Sequence, residues 1–320
     1  MPVAKAAVLG GTGLIGRHVV EALTAAGVEE IVASYRARTP FEARGVRWKQ
    51  ADLLSLADAR AVLAGAKVAI VCAGKVSTSA ELRRDPVASV MDTLRIGINA
   101  LEAAAREQVE TLVLLSSCTG YPEGEGVKEE AGMFFGDPPS GWFGVGWTHR
   151  FLEKQLEWYA SHLGKIASAI VLRPTLVFGP YDDFGRESGH FVPSMITQVV
   201  ARQRPIEVWG DGSQTRNLIH ASDVASAVVA AVSAPAGYAA YNIAAPRSAR
   251  VNEVLQTLLQ VDGFGDAEVI HRRDRPGGAS ALHISAAAFA ERFGWQPALS
   301  LRDGLAATVQ WYRRNRESAR

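Results

Sequence analysis

Short apolar runs alternate with helical periodicity through the first half of the chain. Residues 6–9, 31–34, 68–71 and 112–115 are strand-length runs with almost no polar interruption, whereas 15–26 and 88–106 carry apolar positions at helical spacing. Strands that lack polar alternation are buried on both faces, the condition of a parallel sheet covered by right-handed helical crossovers. The pattern predicts an α/β fold built on a doubly wound parallel sheet.

The rhythm breaks after Arg173-Pro174 into loop-rich sequence holding Gly179-Pro180, Asp182, Asp183 and Gly185. Helical segments then recur at 192–202, 224–232, 251–259, 284–293 and 301–312. The stretch 224–232 reads as another sheet-covering helix, so the chain is expected to return to its first lobe. We assign 1–172, with 220–245, to a dinucleotide-binding domain, and 173–219 with 246–320 mainly to a smaller, interleaved α/β substrate lobe. No internal repeat or low-complexity tail is present.

The 320 residues suffice for one large α/β domain or two lobes sharing a core. A net charge of +1 from 34 basic and 33 acidic residues, without a basic block, argues against a nucleic-acid partner and for a small molecule. Cys72 and Cys118 are the two cysteines and lack metal-ligand spacing, which indicates neither a disulfide framework nor a metal site and favours a reducing, cytoplasmic setting. The apolar start at 4–9 runs straight into glycines and needs no export role. The run 224–232 is too short for the ~20 residues of a membrane span.

Gly10, Gly13 and Gly16 form Gly-x-x-Gly-x-x-Gly between a predicted strand and a predicted helix. Glycines there let the backbone turn tightly and approach a pyrophosphate, which the free amides of the helix N-terminus then hold. This is the dinucleotide signature of a Rossmann fold. The second strand ends in Ser34-Tyr35-Arg36-Ala37-Arg38. With no carboxylate there to meet ribose hydroxyls, and two guanidiniums to grip a phosphate, NADP is preferred over NAD. Asp52 and Leu53 are candidates to flank the adenine, and Ala73 and Gly74 to pass beneath the cofactor.

Together with Gly10-Gly11-Thr12-Gly13-Leu14-Ile15-Gly16, the runs Asp52-Leu53, Ser116-Ser117, Arg173-Pro174, Gly179-Pro180, Val208-Trp209-Gly210-Asp211-Gly212, Arg216 and Asp223-Val224 resemble the extended short-chain dehydrogenases. These are the NAD(P)-dependent sugar-nucleotide epimerases, dehydratases and reductases, and the resemblance spans nearly the whole chain. It implies that Thr12, Leu14 and Ile15 join the cofactor loop. Within the family the chain is most similar to the GDP-fucose synthases, through Ala73-Gly74-Lys75-Val76, Ser117-Cys118 and the stretch from Gly179 to Pro193.

In that family a Ser/Tyr/Lys set moves the proton that accompanies hydride transfer. Here the Tyr-x-x-x-Lys segment reads Val145-Gly146-Trp147-Thr148-His149, with Glu153 in its usual place. Valine stands at the Tyr position and histidine at the Lys, and a shifted frame offers only Phe143 and Trp147. Tyr159 falls well along the helix that His149 is expected to open, and Tyr121 is read as structural.

The resemblance implies that His190 is one member of an acid/base pair acting beside a ketone. For the other member, Cys118 and Thr119 compete, since a one-residue slip at a strand end reverses the side chain. Ser117, Thr119 or His149 would bind an enolate oxygen. Trp209, Arg216 and Arg275 lie in segments that in the family reach the nucleotide, although after Arg275-Pro276-Gly277 the chain has Ala281 and His283 where a second arginine and an aspartate are usual. A homodimer through the helices at 88–106 and 148–162 is also implied. There Leu152, Leu156 and Tyr159 either line the seam or face the sheet.

Three functions follow. The first is an epimerase that inverts an NDP-keto-sugar by proton abstraction and return. The second is an NADP-dependent 4-epimerase or 4-ketoreductase with a substitute proton donor. The third is a silent protein that binds NADP or a sugar nucleotide.

Overall fold

The computed structural model describes residues 5–75, 85–124, 126–185, 190–275 and 283–316. Val76, Pro276, Gly277 and Ala281, named above, lie outside the described residues. Strands β1 (Lys5–Leu9), β2 (Glu30–Tyr35), β3 (Val46–Gln50), β4 (Val68–Val71) and β5 (Thr111–Leu115) are interspersed with helices α1 (Leu14–Ala25), α2 (Leu56–Leu63) and α3 (Pro86–Arg106). A two-residue strand β6 (Val127–Lys128), helix α4 (Phe143–Glu157) with a π-helical turn (Trp158–His162), and β7 (Ser168–Pro174) follow. Next come β8 (Leu176–Phe178), α5 (Phe191–Val200), β9 (Ile206–Trp209), β10 (Thr215–Arg216), β11 (Leu218–His220), α6 (Ala221–Val232) and β12 (Gly237–Ile243). The chain closes with β13 (Ala249–Arg250), α7 (Val251–Asp262), β14 (Val269–Arg272), β15 (His283–Ile284), α8 (Ala287–Phe293) and α9 (Leu301–Arg314).

Seven strands form one sheet in the order β12-β7-β5-β4-β1-β2-β3, parallel at every pairing. The two-residue alternation of side chains splits β1 between two cores. Ala7 and Leu9 pack with Val62, Leu101 and Leu152 of α2, α3 and α4, while Ala6 and Val8 pack with Val19, Leu23 and Val228 of α1 and α6. Helices therefore cover both faces, and the order of connection reverses between β1 and β4. In such sheets the crevice at that reversal, outside the strands' C-terminal ends, receives the ligand. A third core holds the remaining elements together through Phe178, Phe184, Ile196, Val254, Leu258 and Leu305.

Two expectations are corrected and one open alternative is resolved. Helix α4 starts at Phe143, not at Thr148 or His149, so Val145 and His149 sit one turn apart on one helix face. Gly146 inside this helix serves packing: a Cβ there would fall 2.6 Å from Pro138 and 2.9 Å from the carbonyl of Thr119. Close approach thus outweighs the roughly 1 kcal/mol that glycine costs a helix. His283 and Ile284 pair with β6, and the helix expected from 284 begins at Ala287, where Ser285 Oγ accepts the first amide. Finally, Leu152 and Leu156 are buried in the sheet-facing core, with Leu152 filling the notch at Gly97 of α3, and they line no external seam.

Candidate active site

Gly10 ends β1 with φ +87°, a left-handed conformation that favours glycine, and its N–H donates to Ser34 Oγ at 2.8 Å. A Cβ on Gly16 would lie 2.1 Å from Gly10 O, so helix and turn touch backbone to backbone. Gly13 caps α1 and no side chain bonds its first amides. The N–H groups of Gly11 and Gly13 are taken by Ser34 O and Gly10 O, whereas those of Thr12, Leu14, Ile15 and Gly16 make no hydrogen bond among the described residues, a cradle at a helix N-terminus that fits a pyrophosphate. Ala73 forms the opposite wall, its Cα 2.9 Å from where a Gly10 Cβ would stand, and Gly74 follows it in the open.

At the adenosine end Ser34 is occupied by Gly10, leaving no carboxylate at the tip of β2. Arg36 and Arg38 are exposed, and Arg38 Nη1 donates to Tyr181 O at 3.3 Å. Leu53 is buried, whereas the exposed Asp52 turns its carboxylate back on the N–H of Leu54 at 3.1 Å. Arg17 lies between the rings of Phe41 and Tyr181, 4.1 and 3.6 Å from their centres.

The turn after β5 separates the rival residues. Ser117 Oγ accepts from Thr119 N at 3.1 Å and Thr119 Oγ1 at 2.9 Å, and both hydroxyls are partly open. Cys118 points the other way, into a small core with Tyr121 and Met133, and its Sγ donates to Arg173 O at 3.1 Å. Burial pushes its thiol far above the usual range, opposing the thiolate that proton transfer needs.

Beneath this turn runs a buried polar network. Ser116 Oγ donates to Glu153 Oε1 at 2.5 Å, and Arg173 clasps Glu153 through Nη2 at 2.7 Å and Nε at 3.1 Å. Arg173 Nη1 continues to Glu130 O and Tyr121 OH, which donates to Asn242 Oδ1 at 2.8 Å. Burial alone would lower the pKa of Arg173, but bonds and attraction from Glu153, then Tyr121, raise it above its ordinary value. Tyr121 is thus structural in its contacts.

Gly146 abuts Thr119 O, which sets α4, the helix that carries Val145 and His149, beside this turn. The ring of His149 is half-buried and makes no hydrogen bond among the described residues; burial pushes its pKa down to about 4. It is a neutral imidazole at pH 7 and cannot supply the ammonium charge of a lysine. Tyr159 stands beyond α4 in the π-helical turn, packed against the α2–α3 side of the sheet.

Beside the third core His190 caps α5, and its Nδ1 lies 3.3 Å from Oδ1 of the buried Asp182. Arg216 on β10 stands 6.0 Å from the ring of Phe191, next to His190, and burial lowers its pKa. Arg275 covers the half-exposed Trp209 at 5.2 Å, so these two candidates form a pair. Sequence reasoning missed Asp182 as a partner of His190, and Ser34 and Asn242 as supports. No spacing rule links loop residues eight positions apart, and only a buried carboxylate beside an imidazole exposes the connection.

The model of the NAD dependent epimerase/dehydratase family matches residues 6–244. GDP-L-fucose synthase 1 of Arabidopsis thaliana is 27% identical over 98% of this chain and 94% of its own length. The dTDP-4-dehydro-6-deoxy-D-allose reductase of a Streptomyces species is 28% identical, covering 96% and 95%. The UDP-glucose 4-epimerase of Thermotoga maritima, solved with UDP-glucose, superposes with a TM-score of 0.85 at 23% identity, covering 97% of this chain and 99% of the other, which establishes the fold. With three quarters of its length matched and the glycine cradle in place, this chain belongs to the NAD dependent epimerase/dehydratase family.

Proposed function

We propose that the protein is an epimerase of NDP-keto-sugars that works by proton abstraction and return. The observation that carries this reading is that His190 is backed by a buried carboxylate; beside it, Val145 and His149 stand where the family resemblance places Tyr and Lys. His190 takes the proton from the carbon beside the ketone, and the electron pair moves onto the ketone oxygen as an enolate. Ser117 Oγ already accepts two hydrogen bonds, so its own hydrogen remains to be donated to that oxygen. The Ser117–Thr119 pair relays the returning proton from solvent, a role that Cys118 cannot share from inside the core. Arg216, with Arg275 over Trp209, holds the diphosphate and the nucleotide.

Gly10 to Gly16, Ala73, Arg36 and Arg38 would hold NADP, with the two arginines on its 2′-phosphate. When bound, that cofactor supplies hydride chemistry at its nicotinamide, but valine at position 145 gives no proton to accompany it. A second reading, ketone reduction with His149 as proton donor, is favoured by the neutral imidazole one turn from Val145. We further assign a homodimer through α3 and α4, where Phe143, Trp147 and Phe151 of α4 and Trp158 of the turn after it are 41–50% exposed at helical spacing. The free Cys72 and Cys118 suit a reducing cytoplasm, and no helix among the described residues is long and apolar enough to cross a membrane.

A panel of NDP-4-keto-sugars in heavy water, with and without NADPH, tests the assignment. The expected result is a mass gain at a sugar carbon without NADPH oxidation. Stoichiometric NADPH oxidation selects the reductase, and product free of deuterium refutes the epimerase.

A further inference from the structure

Asp182 was given no role by the sequence, yet its side chain is only 2% exposed. Removing a carboxylate from water costs several kcal/mol unless a partner compensates it. Its Oδ1 accepts the N–H of Asp183 at 2.8 Å and faces His190 Nδ1, while Oδ2 is buried without a hydrogen bond among the described residues. The compensation for this charge therefore comes largely through the Oδ1 edge, where the imidazole stands. His190 has its own main chain fixed independently. As the cap of α5 it takes an extended conformation, and its carbonyl accepts Ser194 N at 2.9 Å. What the backbone leaves open is the ring's rotation and tautomer.

We infer that Asp182 is the positioning residue of His190: its carboxylate holds the hydrogen on Nδ1 and leaves the Nε2 lone pair as the base. This rests on the epimerase reading above. In the step, the substrate C–H bond breaks, its electron pair goes to the ketone oxygen, and the proton goes to Nε2. The resulting imidazolium faces the Asp182 carboxylate, and a proton from solvent, relayed through Ser117 and Thr119 to the opposite face of the enolate, forms the new C–H bond in the inverted configuration. No oxidant or reductant enters. A fixed tautomer matters because an imidazole with its hydrogen on Nε2 offers the substrate a donor where a base is required.

The test reads the ring and the reaction separately. Nitrogen-15 spectra of ring-labelled wild-type protein, with His190 assigned through His190→Gln, should show the hydrogen on Nδ1. In Asp182→Ala the hydrogen should shift toward Nε2, and deuterium exchange into an NDP-4-keto-sugar should fall about 100-fold in kcat, with KM changed by less than about threefold. Wild-type His190 with its hydrogen on Nε2 overturns the inference even if Asp182→Ala does not fold, as does a folded variant with the wild-type tautomer. A wild-type ring fixed on Nδ1 in a protein that exchanges no deuterium supports the dyad and removes the epimerase.

Discussion

Replacing Glu153 by leucine should be among the most damaging single changes in the molecule. Glu153 is fully buried, and its carboxylate takes Nη2 and Nε of Arg173 and the hydroxyl of Ser116. Without it, Arg173 keeps Glu130 O and Tyr121 OH on Nη1, but Nε and Nη2 are left as buried donors on an uncompensated charge. Breaking a buried pair from one side costs about 3–5 kcal/mol, whereas replacing both members with well-packed apolar groups is often neutral or better. Glu153→Leu and Arg173→Met should each fall in that range, and the double variant should be more stable than either. Urea unfolding followed by far-ultraviolet circular dichroism reads this as three midpoints, with unchanged slopes confirming that stability alone moved. A cost below about 1 kcal/mol for Glu153→Leu, or a double variant that equals the sum of the singles, would refute the reasoning.

Three more expectations concern the site. Val145→Tyr with His149→Lys should place a Tyr/Lys pair on one helix face and raise NADPH-dependent reduction of an NDP-4-keto-sugar at least about tenfold; a folded, cofactor-binding double variant without gain would show that the two positions are misassigned. Arg36→Ala with Arg38→Ala should weaken NADPH binding about 10- to 100-fold, as charged hydrogen bonds of about 1.5–3 kcal/mol require, while leaving NADH within about threefold. Equal losses for both cofactors, read by nucleotide fluorescence, would place the phosphate elsewhere. Burial holds His149 and His220 at about 4, below the unfolded value of about 6.5. Their contribution is complete above about pH 6.5 and is lost as pH falls toward about 4, because the unfolded chain takes up protons that the folded one refuses. Urea midpoints of His149→Leu should fall less steeply over that window, by on the order of 1–2 kcal/mol for a half-buried ring; parallel profiles would contradict the burial argument.

The sheet and its cofactor turn were legible because their signals are local. Bare apolar runs such as 68–71 lie within a residue of the strands observed, and Gly10, Gly13 and Gly16 state a backbone requirement directly. The start of α4 was not legible, since the packing of Gly146 against Pro138 and Thr119 O is a contact between segments distant in sequence. Cys118 and Thr119 are adjacent in sequence, and only the three-dimensional turn decides which faces the core. Asp182 and Ile284 owe their roles to partners far outside any periodic window, the first to a ring at the cap of α5 and the second to β6.

The Glu153–Arg173 clasp bears on how chemistry can be exchanged in this protein. Helix α4 is fastened to the sheet through Glu153 and Leu152, not through Val145 or His149, whose side chains make no hydrogen bond among the described residues. The two positions are therefore sockets: their occupants can be exchanged without loosening the frame that aims them. A descendant chain can lose its redox pair at little structural expense and keep the same cleft for a different reaction.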